Sequence, residues 1–121
     1  MYSRVNLSDV DTHEADAADA RVKPVGYHLR PETMRPNVWT FEAGESTPYH
    51  YQKQQEELYV VLDGRFELSV EDETLELEPD DYVVVAPEAK RQLTAVEPGT
   101  VLVVGAPNVK DDGVILDEEA S

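Results

Sequence analysis

From residue 22 onward the chain is written in short apolar runs of two-residue period, each stopped by glycine, proline or aspartate. That pattern gives strands one apolar face each and denies any segment the continuous stripe that a helix needs. "NVWTFEAG" alternates and ends at a glycine. "ELYVVLDGRFELSVEDETLELEP" reads as two strands about Asp63-Gly64, a type I′ hairpin signal, followed by a further turn and a strand holding Leu75 and Leu77. "DDYVVVAP" is a β-branched run of the kind expected of a strand buried on both faces. "QLTAVEPGTVLVVGAP" supplies two more strands. About six or seven short strands at close spacing, with no convincing helix, predict an all-β sandwich or barrel.

At 121 residues the chain fits one domain, with an acidic lead-in over 1–21 and an acidic tail over 107–121. In the lead-in, "SDVDTHEADAADA" predicts a loop with at most one helical turn, Ser8 and Asp11 offering a weak capping box; "DEEAS" reads as a frayed end. The N-terminus lacks an apolar h-region, and no run of about 18 apolar residues occurs, so neither a signal peptide nor a membrane span is expected. The cytoplasm is then the expected compartment. Cysteine is absent, which removes disulfides, thiolate metal sites and cysteine nucleophiles.

Acids outnumber bases 26 to 10, a net charge of -16. No basic patch exists to displace counterions, so nucleic acid is not an expected partner. The carboxylates are scattered along the chain and lysine is scarce, as in proteins of salt-loving organisms, whose internal salt screens such repulsion.

Gly44, five residues, His50, one residue, Gln52, four residues, Glu57, six residues and Gly64 form a spaced constellation that resembles the first motif of the cupin family. A looser second motif runs from Asp80 through Pro87 and Ala89 to Gln92, with one extra residue before Pro87. The resemblance covers about residues 35 to 106. It implies a single small β-barrel of jelly-roll (cupin) type, whose interior holds a metal on three histidines and a glutamate. His50, Gln52, Glu57 and Gln92 take those four places. It also implies a homodimer in which residues 22–30, "VKPVGYHLR", are the exchanged strand.

The departures govern the chemistry. An amide oxygen is a weak, hard donor beside imidazole, so replacing two of three histidines argues against a tightly bound cofactor, although weak divalent-metal binding through His50, Gln52, Glu57 and Gln92 stays open. Without metal, a buried Glu57 needs a partner, and His50 is the obvious one, as a candidate acid–base pair. Gln52 and Gln92, with Tyr59 on the parity of Glu57, would then complete a small-molecule ligand site. Among the bases, Lys90 and Arg91 adjoin Gln92, and at most one of them can turn inward. Trp39 and Phe41 read as core or interface, His13 as surface, and His28 has no assignment. Three functions compete: a small-molecule-binding cupin with a degenerate metal site, a metal-dependent dioxygenase or isomerase, and a dimeric interaction module.

Overall fold

The computed structural model describes residues 1–15 and 20–116. The expected frayed end at 117–121, and residues 16–19 of the lead-in, lie outside the described residues. Among the described residues, eleven strands form two sheets. The first sheet has the order β1 (His13–Glu14), β2 (Arg21–Lys23), β3 (Arg35–Phe41), β10 (Gly99–Ala106), β5 (Glu56–Asp63), β8 (Tyr82–Val85). The second has the order β11 (Gly113–Ile115), β4 (His50–Gln52), β9 (Arg91–Ala95), β6 (Phe66–Val70), β7 (Glu73–Leu77). All pairings are antiparallel.

The expected closed barrel of jelly-roll type does not form: these are two separate open sheets, edged by β1 and β8 and by β11 and β7. Among the described residues, no edge strand of one sheet pairs with an edge strand of the other. The three-residue β4 is itself lightly tied, sharing a single register pair with β9, His50 opposite Arg91. The sheets still enclose one core, since Phe41, Tyr59, Val61 and Val101 from one meet Phe66, Leu68, Leu93 and Ala95 from the other. Phe41 and Phe66 touch edge to face, with ring centroids 5.5 Å apart, the arrangement that ring quadrupoles favour.

Two local expectations are corrected by this topology and a third is met. Asp63-Gly64 does not close a hairpin, because β5 already pairs with β10 and β8 and has no free edge for β6. Residue 64 instead carries the chain across to the second sheet at φ 81°, pressed against the backbone of Pro98 and Gly99, where a Cβ has no room. The run at 82–85 is not buried on both faces; as the edge strand β8 it leaves Tyr82 70% and Val84 60% exposed. The predicted turn after Val70 does form a hairpin, with Glu71 in left-handed conformation between β6 and β7.

The N-terminal segment differs as well. A 3₁₀ turn at Leu7–Asp9 is capped by Asn6, whose side chain accepts from the Ser8 amide, so the Ser8–Asp11 box is not used. Residues 22–30 are not one extended strand. Arg21–Lys23 pairs with β3 of its own chain, and Val25–Leu29 forms a short helix, α1, ended by Arg30 in left-handed conformation before Pro31. This helix brings Val25 and Leu29 over Val38 and Leu102, so it covers the outer face of the first sheet with a second small core. No helix among the described residues is long and apolar enough to cross a membrane.

Candidate functional site

A cavity of about 430 Å³ opens between the sheets. Its polar side is built by alternation on two facing strands. His50 and Gln52 are two apart on β4 and share one face, while Glu57 and Tyr59 do the same on β5. Trp39 and Phe41 of β3, Leu93 of β9 and Val103 of β10 supply apolar wall. Trp39 and Phe41, read from sequence as core or interface, stack with centroids 6.5 Å apart and line the cavity.

Glu57 is the hub. The Tyr59 hydroxyl donates to its Oε1 at 2.9 Å, and the Gln52 amide donates to its Oε2 at 3.4 Å. His50 Nε2 stands 4.0 Å from Oε1. The fourth neighbour was not expected: Arg91 Nη2 lies 3.3 Å from Oε1, and the whole side chain is buried, with 0% exposure. Arg91 Nη1 donates to the Ala89 carbonyl at 2.6 Å, whereas Nε and Nη2 find no hydrogen-bonding acceptor among the described residues. A buried carboxylate and a buried guanidinium therefore neutralise each other, the condition under which either is tolerated.

His50 is held in one orientation. A carbonyl oxygen can only accept, so the 2.8 Å contact between Nδ1 and the Pro48 carbonyl makes Nδ1 the donor. In the neutral ring, Nε2 then keeps its lone pair facing the cavity. Burial pushes the His50 pKa down, with the Arg91 charge adding to it; the Pro48 hydrogen bond and the Glu57 charge oppose it. Burial raises the Tyr59 pKa strongly, with the Glu57 charge adding to it, so the hydroxyl stays protonated and donates.

Gln92 is not brought to this site. On β9, Arg91, Leu93 and Ala95 are buried and alternate with half-buried Gln92 and Thr94. The Gln92 amide donates instead to the Thr47 carbonyl at 2.9 Å. The residue that reaches Glu57 from this strand is Arg91. The available signal was the Lys90–Arg91 pair beside Gln92, since alternation lets one of those two cations turn inward. Gln55, also unforeseen, is buried at the cavity wall. It is set there by Asp112, whose carboxylate accepts from the backbone N–H groups of Gln54 and Gln55, the latter at 2.8 Å. His13 and His28 are exposed and outside the cavity.

The donor set does not fit the family's metal. Only His50 and Glu57 are strong ligands, and a guanidinium cation stands beside the same carboxylate oxygen that would bind the ion. Among the described residues, no group of three or more histidine, cysteine, aspartate or glutamate side chains could hold a metal ion. The His50, Gln52, Glu57, Gln92 set is not assembled.

Comparison with solved structures supports the same fold. KdgF from Halomonas sp. superposes with TM-score 0.74 at 19% identity, covering 92% of this chain and 98% of its own. The polyketide cyclase RemF from Streptomyces resistomycificus gives 0.80 at 20% identity, with 98% and 89% covered. A sugar phosphate isomerase of the cupin superfamily from Silicibacter pomeroyi gives 0.79 at 18%, with 94% and 82% covered. Compared by sequence with curated proteins, the chain matches none. The sequence profile described as Cupin domain matches residues 37–105, over half of the chain, and the chain belongs to the cupin family.

Proposed function

We propose that this cupin binds a small organic molecule in the cavity between its sheets and does so without a resident metal. The observation that carries the reading is the Arg91–Glu57 pair, 3.3 Å apart, which balances the one carboxylate that a metal would need. With that charge compensated, the polar groups left to a ligand beside Glu57 include the His50 Nε2 lone pair and the amides of Gln52 and Gln55. They face the Trp39 and Phe41 rings across the cavity. Few polar groups converging in a largely apolar hollow suit a compact ligand with one flat or aliphatic face and one or two hydrogen-bonding groups.

Two measurements test it. Elemental analysis of protein purified without chelators should find far less than one transition-metal ion per chain; near-stoichiometric metal refutes the reading. A library of uncharged aromatic and polyol compounds should contain some that raise the melting temperature of the wild type and not that of Trp39→Ala. A library without such a compound counts against the cavity as a binding site.

Two wider properties belong to the same proposal. The acidic composition suits high salt, so the melting temperature should climb between about 0.1 M and about 2 M potassium chloride as repulsion is screened. The chain is proposed to be a homodimer, a reading supported by exposed Tyr82 and Val84 on the edge strand β8. Light scattering in high salt that gives a monomer removes it.

A further inference from the structure

We propose that His50 is a metal-free general base that removes an activated proton from an uncharged carbon acid bound in the cavity. Glu57 stabilises the imidazolium that forms. The inference rests on the binding role proposed above and adds a reaction to it.

The geometry carries it. A general base needs a free lone pair, a fixed orientation and a path to the substrate. The Pro48 carbonyl, 2.8 Å from Nδ1, fixes the tautomer and leaves Nε2 free. His50 lines the cavity, so the lone pair meets whatever fills it. Glu57 Oε1, 4.0 Å from Nε2, is too distant to hydrogen-bond the ring directly, yet near enough to favour positive charge on it. Glu57 is itself kept in place by Tyr59 at 2.9 Å and Arg91 at 3.3 Å, so it acts as a positioning and charge-stabilising group. The charged or titratable groups packed toward His50 are Glu57 and Tyr59 from β5 and Arg91 from β9. From β3 it meets the apolar Trp39 and Phe41, with Glu14 and Arg35 exposed at the edge of the cavity.

The substrate class follows from what the site can stabilise. For a carbon acid next to a carbonyl, Nε2 takes the proton, the C–H electron pair becomes a carbon–carbon double bond, and the carbonyl π pair moves onto oxygen to give an enolate. The Gln52 and Gln55 amides, each engaged only through a long 3.4 Å contact, are the donors available to that oxygen. Returning the proton to the same carbon, or to a neighbouring one, completes an epimerisation or a double-bond shift. The cycle consumes no oxidant, reductant or metal.

Nitrobenzisoxazole tests the base without knowledge of the natural substrate. Its C–H proton passes to the base, the N–O bond breaks, a nitrile forms and a coloured phenolate leaves. The wild type should open it about 100-fold faster than His50→Gln. His13→Gln and His28→Gln should match the wild type, excluding catalysis by exposed imidazoles. The rate should level off at a pH below the ordinary imidazole value, a profile that a merely structural histidine would not produce. If His50→Gln does not fold, carbethoxylation of His50 in the folded wild type, mapped by peptide mass, should remove the activity instead. Binding of the probe, read by Trp39 fluorescence, with a rate equal to His50→Gln overturns the base and leaves the binding cavity standing. A probe that neither binds nor reacts overturns both.

Discussion

Arg91 faces His50 across the β4–β9 ladder, the only register pair between those strands, and carries its guanidinium to within 3.3 Å of Glu57 Oε1. The position to which the sequence motif leads Gln92 is thus taken by its neighbour. A strand presents alternate residues, so the choice between 91 and 92 decides whether the site holds a neutral amide or a fixed positive charge. With the cation built into the protein, Glu57 has a permanent partner and no need of an ion.

Replacing that cation with an imidazole should restore a metal site. Arg91→His combined with Gln52→His would give His50 and Glu57 two further nitrogen donors on the same cavity. We expect the double variant to bind Co²⁺ tighter than about 1 µM, with the visible absorption of a low-coordinate site. Gln92→His combined with Gln52→His should not, because residue 92 faces away. Equal binding by both double variants would show that β9 is placed in the wrong register.

Removing one member of the buried pair should cost more than removing both. Arg91→Met strands the Glu57 carboxylate and is expected to cost about 3–5 kcal/mol, measured by urea denaturation. Adding Glu57→Gln should recover part of that loss, since the stranded charge is gone. Additive losses would mean that the two side chains do not interact.

The site was legible where spacing and alternation agree and obscure where one residue of slip matters. His50, Gln52, Glu57 and Tyr59 converge because two-residue steps on two strands fix their faces whatever the sheet closure. Asp80, which opens the second motif, takes a φ of 77°, the left-handed region that aspartate tolerates better than most residues. Arg91 was obscure because a charged residue in an apolar strand reads as exposed, and only a partner from another strand, Glu57, makes its burial tolerable. The two open sheets were equally hidden. Asp63-Gly64 has the local chemistry of a hairpin, but whether β6 joins β5 depends on β8 and β10 having already filled both edges. Strand β8 was misjudged for a related reason, since β-branched residues suit an edge strand as well as a central one.

Acid should weaken the fold through His50. Its folded pKa lies below the ordinary imidazole value of about 6.5, chiefly because burial disfavours the charged ring, so the unfolded chain takes up this proton first. The stability it contributes is complete above about 6.5 and is lost as pH falls through the folded value. Urea midpoints should therefore decline from about pH 7 to about pH 5 in the wild type, and His50→Gln should show a shallower decline. An unchanged slope in that variant would mean that His50 is as easily protonated in the folded chain as in the unfolded one.

Asp112 should matter both to stability and to the shape of the cavity, and the two effects can be separated. Burial would raise its pKa, but the backbone N–H groups of Gln54, Gln55 and Lys53 outweigh that and hold the carboxyl below its ordinary 3.8. Its contribution is thus present above about that value and lost as pH falls through the folded pKa, in a window well below that of His50. Asp112→Asn keeps the shape but can accept on only one atom, so it should cost about 1–3 kcal/mol at neutral pH. The same change frees the turn that sets Gln55, whose amide rests at 3.4 Å on the Val109 carbonyl and whose oxygen crowds Gly105. Ligands that raise the melting temperature of the wild type should then bind Asp112→Asn more weakly, even under conditions where both proteins are fully folded. Loss of stability with unchanged affinity would separate the clamp from the site and assign Asp112 to the fold alone.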